Sequence, residues 1–161
     1  MFLQYNTRGS MTQETPPLNL PPYPFRLKRN QGVLYIFDEI RKKWLVNTPE
    51  EWVRQHFIMF LNKEYNYPLS LIAIEQGLKV NGMPRRTDIL TYSTHGNPIL
   101  LVECKAPKIK LNQAVFEQIA RYNIPLQVQF LAVTNGIQHY FCEIDIKNKS
   151  WKFIQDIPVF S

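Results

Sequence analysis

The stretch Ile99-Leu100-Leu101-Val102-Glu103-Cys104-Lys105 decides how this chain folds. Four apolar residues run in succession without alternation, so the strand is buried on both faces and belongs in the middle of a sheet. Glu103 and Lys105 stand at its C-terminal end. They are two residues apart, so both side chains leave the same face. Pro107 then breaks the strand, because proline cannot donate to a ladder. Taken alone, this pair also fits a strand that simply ends in water with its charges paired.

The preceding strand, from about Arg86 to Ser93, argues for chemistry instead. It carries Asp88 between Thr87 and the apolar Ile89-Leu90, where a solvated acid is out of place. The turn Thr94-His95-Gly96-Asn97 makes the two strands hairpin neighbours, and counting outward from it sets Asp88 opposite Glu103 or nearly so. Two carboxylates that close repel unless one is protonated or a cation lies between them. Hard divalent ions prefer oxygen donors, so Mg²⁺, with Mn²⁺ as a substitute, suits Asp88, Glu103 and the Cys104 carbonyl. Lys105 adds a fixed positive charge. A metal so held polarises a phosphoryl oxygen and acidifies a bound water, and lysine offsets charge growing on phosphate. The set therefore points to phosphodiester hydrolysis. Arg85 and Arg86 upstream, and Lys108 and Lys110 downstream, can hold backbone phosphates. They also fit a solvated basic rim.

Further out, Asn81-Gly82 is a two-residue hairpin signal after a strand from about Leu71 to Val80. Before it, Thr48 N-caps a helix with Pro49 at its first position and Glu50 and Glu51 in its first turn; Thr48 and Glu51 have capping-box spacing. Trp52, Val53, His56, Phe57, Met59, Phe60 and Leu61 supply its apolar face, and Pro68 stops it. Glu51 can aim at the Asp88–Glu103 cleft or serve only as a cap, and Glu75 has a weaker case for facing it. A helix from about Leu111 to Asn123 follows Pro107. It carries Gln118 and Tyr122, four apart on one face, either as partners of the substrate and lysine or as an ordinary polar face. Strands near Val128–Val133, Gln138–Ile144 and Trp151–Ile154 complete the chain, with another at Val33–Phe37 and a short connection to Trp44-Leu45-Val46. His56, His95 and His139 show no ligand spacing.

This order predicts an α/β fold, a mixed β-sheet flanked by helices with an α-β-β-β-α-β core. Residues 25–161 form a single domain. Residues 1–24 form an extended N-terminal arm with prolines at 16, 17, 21, 22 and 24, which favour polyproline II and exclude helix. Arg8-Gly9-Ser10-Met11 has the look of a cloning remnant before a second start, so the first ten residues are set aside.

Lys and Arg total 19 against 13 acids, for a net charge of +6 over 161 residues, a balance that favours polyanionic partners. Cys104 and Cys142 form neither a metal pattern nor a disulfide framework, which suggests free thiols in a reducing compartment. With neither a secretion signal nor a membrane-length apolar run, the expected location is the cytoplasm.

The residues Arg86-Thr87-Asp88, Val102-Glu103-Cys104-Lys105-Ala106-Pro107, Gln118-Ile119-Ala120-Arg121-Tyr122 and Val133-Thr134-Asn135-Gly136 together resemble the nuclease domain at the N-terminus of the R subunit of type I restriction enzymes, within the PD-(D/E)xK superfamily. The resemblance covers about Thr48 to Ile144. The Asp…Glu-x-Lys core is short; the ordered set is far more specific. It implies the restriction-endonuclease-like fold, Mg²⁺-dependent DNA cleavage, metal-binding roles for Asp88 and Glu103, a catalytic role for Lys105, and supporting roles for Gln118 and Tyr122. Glu51 fits the position of the family's early helical Glu. Thr87 replaces the family's proline. Because the helicase motor of R subunits does not follow here, ATP use is not expected. The implied setting is bacterial restriction-modification, or another defence or repair nuclease, alone, as a homodimer, or with other restriction or repair subunits. A non-catalytic DNA-binding module and an interaction subunit on the same fold remain as alternatives.

Overall fold

The computed structural model describes residues 14–161, with the side chain of Tyr122 also outside the described set. Two sheets and two helices build it. Strands β1 (Leu27–Asn30), β2 (Val33–Asp38) and β3 (Lys43–Val46) form an antiparallel meander. Helix α1 (Pro49–Tyr65) leads through a 3-10 turn to β4 (Ile72–Val80), β5 (Met83–Tyr92) and β6 (Pro98–Cys104). Helix α2 (Gln113–Leu126) then crosses to β7 (Phe130–Thr134), followed by β8 (His139–Asp145) and β9 (Ser150–Ile154). The second sheet runs in the order β4-β5-β6-β7-β8-β9. Among the described strands only β6 and β7 pair in parallel, which is the pairing a helical crossover permits. The predicted mixed sheet and α-β-β-β-α-β core are therefore present. The meander's first strand was not anticipated, because Leu27-Lys28-Arg29-Asn30 lacks an apolar alternation and is mostly exposed.

Apolar runs explain the layering. Leu100 and Val102 of β6 pack into a cluster with Val53, Phe57, Ile58 and Leu61 of α1. Leu101, between them, faces the opposite way and packs with Val115 and Ile119 of α2. The central strand is thus covered on both sides, and each buried aliphatic side chain contributes about 1.5–3 kcal/mol. Asn81 (φ 51°) and Gly82 (φ 76°) close the β4–β5 hairpin in left-handed geometry, as the Asn-Gly signal requires.

Helix α1 departs from the simple one-sided pattern. Every residue from Glu51 to Ile58 is buried. The reason is the segment before the first sheet, which covers the outer face: Phe25 lies 5.5 Å from the Trp52 ring and 4.6 Å from the His56 ring, and Trp52 Nε1 donates to Pro16 O at 3.0 Å. This burial pushes the His56 pKa down to about 4. Thr48 caps the helix through Glu51 N at 3.1 Å. The reciprocal half of the capping box is not made: Thr48 N donates to Val46 O, and the Glu51 carboxylate turns to arginines. Among the described residues no helix is long and apolar enough to cross a membrane.

The Thr134-Asn135-Gly136 turn ties several pieces together. Thr134 O accepts from Lys105 N at 2.8 Å, and Asn135 Nδ2 donates to Ile109 O at 2.9 Å, so the turn holds both ends of the segment after β6. Gly136 sits at φ 82°, and a Cβ there would meet Leu18 Cδ2 at 2.6 Å. Gly136→Ala is therefore expected to cost about 1–3 kcal/mol, from left-handed strain plus displacement of Leu18. The urea midpoint measures this; an unchanged midpoint would show that the arm yields freely.

Candidate functional site

The site forms where the sheet opens around Asp88. The β5–β6 ladder runs to Ile89 and Val102 and stops. The β4–β5 ladder omits the step between Glu75 and Asp88, where Glu75 adopts φ 52°. Released from both neighbours, Asp88 caps the end of β6 with its side chain: Oδ2 accepts from Cys104 N at 2.7 Å. Its other oxygen, Oδ1, accepts from Arg54 Nη2 at 2.8 Å. Asp88 and Glu103 come together as the strand count predicts.

Glu103 is only 5% exposed. Its Oε1 accepts from Lys105 Nζ at 2.7 Å and from Gln118 Nε2 at 3.2 Å. Gln118 Oε1 is also 3.5 Å from Lys105 Nζ, so α2 braces both members of the strand pair through one side chain. Glu103 shares the α2-facing side of β6 with Leu101, which is why a residue one helix away can reach it. Burial, and then the negative charge of Asp88, push the Glu103 pKa up to about 7 despite the nearby lysine. Burial opposes the Lys105 charge, but its hydrogen bond to Glu103 and the surrounding acids outweigh that and raise its pKa. Lys105 thus stays protonated beside Glu103.

Glu51 is placed differently from the two strand acids. Its Oε1 accepts from Gln55 at 2.8 Å and Arg41 at 3.1 Å, and its Oε2 from Arg54 at 2.6 Å. Arg41 also binds Asp38 at 2.7 Å and Glu75 at 2.7 Å. Glu51 therefore reaches Asp88 through Arg54. Its neighbour Glu50 is the α1 acid that feels the cleft: burial and the charge of Asp88 raise its pKa, while Arg54 and Lys105 pull it back.

The sequence reading missed Arg41, Arg54 and Gln55. A usable signal existed, since Arg54-Gln55 interrupts an apolar helix one turn after two glutamates. The four basic flank residues, Arg85, Arg86, Lys108 and Lys110, are all exposed. Arg85 also lines a cavity of 350 Å³ with Gln118 and Arg121, so a basic path leads to the Glu103–Lys105 pair. Cys104 is fully buried, and its amide rather than its thiol enters the site. Tyr122 belongs to α2, but its side chain lies outside the described residues. Among those residues, no three His, Cys, Asp or Glu side chains stand together ready to hold a metal.

A mixed sheet between helices, with an acid pair and lysine at the opening of its central strands, defines a domain of the restriction-endonuclease-like fold. Residues 49–158 match the family described as type I restriction enzyme R protein N terminus (HSDR_N), and the chain belongs to that family. Among solved structures it is similar to a fragment described as an HsdR subunit of a type I restriction enzyme from Vibrio vulnificus YJ016, with a TM-score of 0.51 and 22% identity. That match covers 68% of this chain and 23% of the other, and it bears on the fold. No curated protein matches the chain.

The raised Glu103 pKa makes metal-free stability fall as pH rises. Between about 4.5 and 7 the folded state holds a proton that the unfolded state releases, so the contribution is complete below that window and lost above it. Chemical denaturation in EDTA across pH 4.5–8 should show this component in wild type and not in Glu103→Gln. Identical slopes for the two proteins would contradict the assignment.

Proposed function

We propose that this domain is a Mg²⁺-dependent nuclease of the PD-(D/E)xK type, hydrolysing DNA phosphodiester bonds, with Mn²⁺ able to substitute. The observation that supports this best is the convergence of Asp88, Glu103, Lys105 and Gln118 at one opening of the sheet. Two neighbouring carboxylates, one of which has its pKa raised by burial and then by the charge of the other, suit a hard divalent cation. Arg54 on Asp88 already acts as a stand-in cation. Asp88 and Glu103 are the carboxylate donors, the Cys104 carbonyl is the proposed third protein donor, and waters complete the shell, as Mg²⁺ generally keeps several.

The bound ion would supply Lewis acidity and a more acidic water. The chain's residues do the rest. Lys105, fixed against Glu103, orients the attacking water and offsets charge growing on the phosphate. Gln118 holds Glu103 and Lys105 in register. Arg85, Arg86, Lys108 and Lys110 grip backbone phosphates with little base reading. Tyr122 is assigned a supporting contact on the same helix, and Glu51 acts by holding Arg54 and Arg41. In this reading the domain works in the bacterial cytoplasm within restriction-modification, alongside other restriction subunits. One observation favours a second reading, a non-catalytic DNA-binding or interaction subunit: both Asp88 oxygens already have protein partners.

Cleavage of plasmid and single-stranded DNA with Mg²⁺, Mn²⁺ or EDTA separates the two readings. Lys105→Ala should lower turnover by about a hundredfold or more, the scale of losing one preorganised electrostatic group, while DNA affinity changes far less. Lys105→Arg should fail as well, because a planar fork does not replace a compact ammonium. Wild type that cuts nothing with any metal, yet binds DNA like the mutant, would favour the binding module.

DNA affinity should also fall steeply with salt and depend little on sequence, and replacing Arg85 and Arg86 together should reduce the salt slope by about two. A salt-insensitive complex would remove the phosphate-gripping role.

A further inference from the structure

We propose that Arg54 is a resident counter-ion of Asp88 that competes with the metal for this carboxylate and so sets how tightly the site binds it. This rests on the reading of Asp88 and Glu103 as metal ligands. Arg54 projects from the middle of α1, and its side chain is 7% exposed. Nη2 lies 2.8 Å from Asp88 Oδ1, and Nη1 lies 2.6 Å from Glu51 Oε2. Asp88 Oδ2 is already engaged by the Cys104 amide. Oδ1 is therefore the oxygen left for a cation, and it is the one the guanidinium holds.

A magnesium ion sits about 2.1 Å from a carboxylate oxygen, so an ion on Oδ1 would lie only a few ångströms from Nη2. Like charges at that separation repel strongly, and a nearly dry setting screens them little. Arginine cannot relieve the conflict by losing its proton, unlike a buried lysine. Its surroundings hold it charged: burial opposes the charge, but Glu51 and Asp88 outweigh that and raise its pKa.

The network nevertheless lets the guanidinium withdraw. If Asp88 turns to a metal, Arg54 keeps Glu51 and has Glu50 at 3.5 Å and Glu75 at 3.9 Å. It is never left as a buried charge without an anion, which would be costly. Glu51 in turn keeps Arg41 and Gln55. One arginine is thus shared between a structural acid and a site acid, and it can lean toward either. The two site acids each have a basic partner, Arg54 for Asp88 and Lys105 for Glu103. Lys105 is the more exposed, at 22% for its side chain, and is suited to meet substrate; Arg54 is enclosed and pairs with acids among the described residues.

The test is Mn²⁺ affinity of the EDTA-stripped full chain, by electron paramagnetic resonance or calorimetry, for wild type, Arg54→Gln and Asp88→Ala. Arg54→Gln should bind Mn²⁺ about tenfold more tightly or better, from removal of one nearby positive charge, and Asp88→Ala should lose binding. A purely structural arginine would show the opposite, since damage to the site weakens binding. A second readout uses folded wild type and covers the case in which Arg54→Gln fails to fold. The ¹⁵N side-chain signals of Arg54 should shift on Mg²⁺ titration with the binding midpoint, while those of Arg41 stay in place. Unchanged or weaker Mn²⁺ binding in folded Arg54→Gln, or an Arg54 signal indifferent to Mg²⁺, would overturn the role of Arg54. Wild type that binds no metal at all would instead overturn the metal-site reading beneath it.

Discussion

The burial of β6 on both faces is the constraint from which the rest follows. Leu100 and Val102 are held by α1 and Leu101 by α2, and all three are completely buried. A strand enclosed in this way cannot rotate or slip by one residue without driving apolar side chains into the wrong layer. Glu103 and Lys105 therefore leave it at a fixed height and on a fixed face. Asp88 is set in turn by pairing of Ile89 with Val102. The position of the acids is a consequence of hydrophobic packing in the adjoining residues of β5 and β6, while the two carboxylates repel each other.

The unfavourable part is where the structure concentrates its charges. Asp38, Glu51, Glu75 and Asp88 share two arginines, and each of these acids lies within 3.1 Å of a guanidinium nitrogen. Ion pairs of this kind, enclosed at Asp38 and Glu51 and more exposed at Glu75, contribute little net stability, because desolvation or solvent screening consumes most of the attraction. Their value here is positional. They link the turn after β2 to α1, α1 to the irregular step in β4, and α1 to Asp88. Hydrogen bonds from Arg41 and Gln55 hold Asp38 below its usual pKa against the effect of burial. Glu103, whose main cation is a single half-buried lysine, moves the other way. This contrast separates Asp38, which braces the fold, from Glu103, which stands at the site.

Strain sits in the same place. Glu75 at φ 52° breaks the ladder beside Asp88, and a residue other than glycine in that region costs about 1–3 kcal/mol. The Arg41 pairing of its carboxylate helps hold it there. The loss of both ladders at Asp88 frees this acid to turn its side chain to the Cys104 amide and to Arg54.

Much of this was legible from local signals. The apolar run of β6, the Asn-Gly turn, the Thr48 cap and the Pro107 break each state their structure within a few residues, because backbone geometry and burial on a strand are local properties. Counting along a hairpin sufficed to bring Asp88 to Glu103 for the same reason. Helix spacing left Gln118 open between a site partner and an ordinary polar face; in the fold it reaches Glu103 and Lys105 because α2 covers the strand it follows. The sequence did not show which glutamate of α1 faces the cleft, nor that the Glu51 carboxylate turns inward. The polar break at Arg54-Gln55 was visible but its partners were not: Arg54 and Arg41 meet acids 34 residues further along the chain, Asp88 and Glu75 respectively. Charge pairing between distant segments leaves no periodicity to read. Sequence alone therefore determined the strands of the larger sheet and the adjacency of the acids and the lysine, through packing and turn chemistry. Only the tertiary structure decided which cations those acids hold, because that depends on how α1 lies against the opened strands.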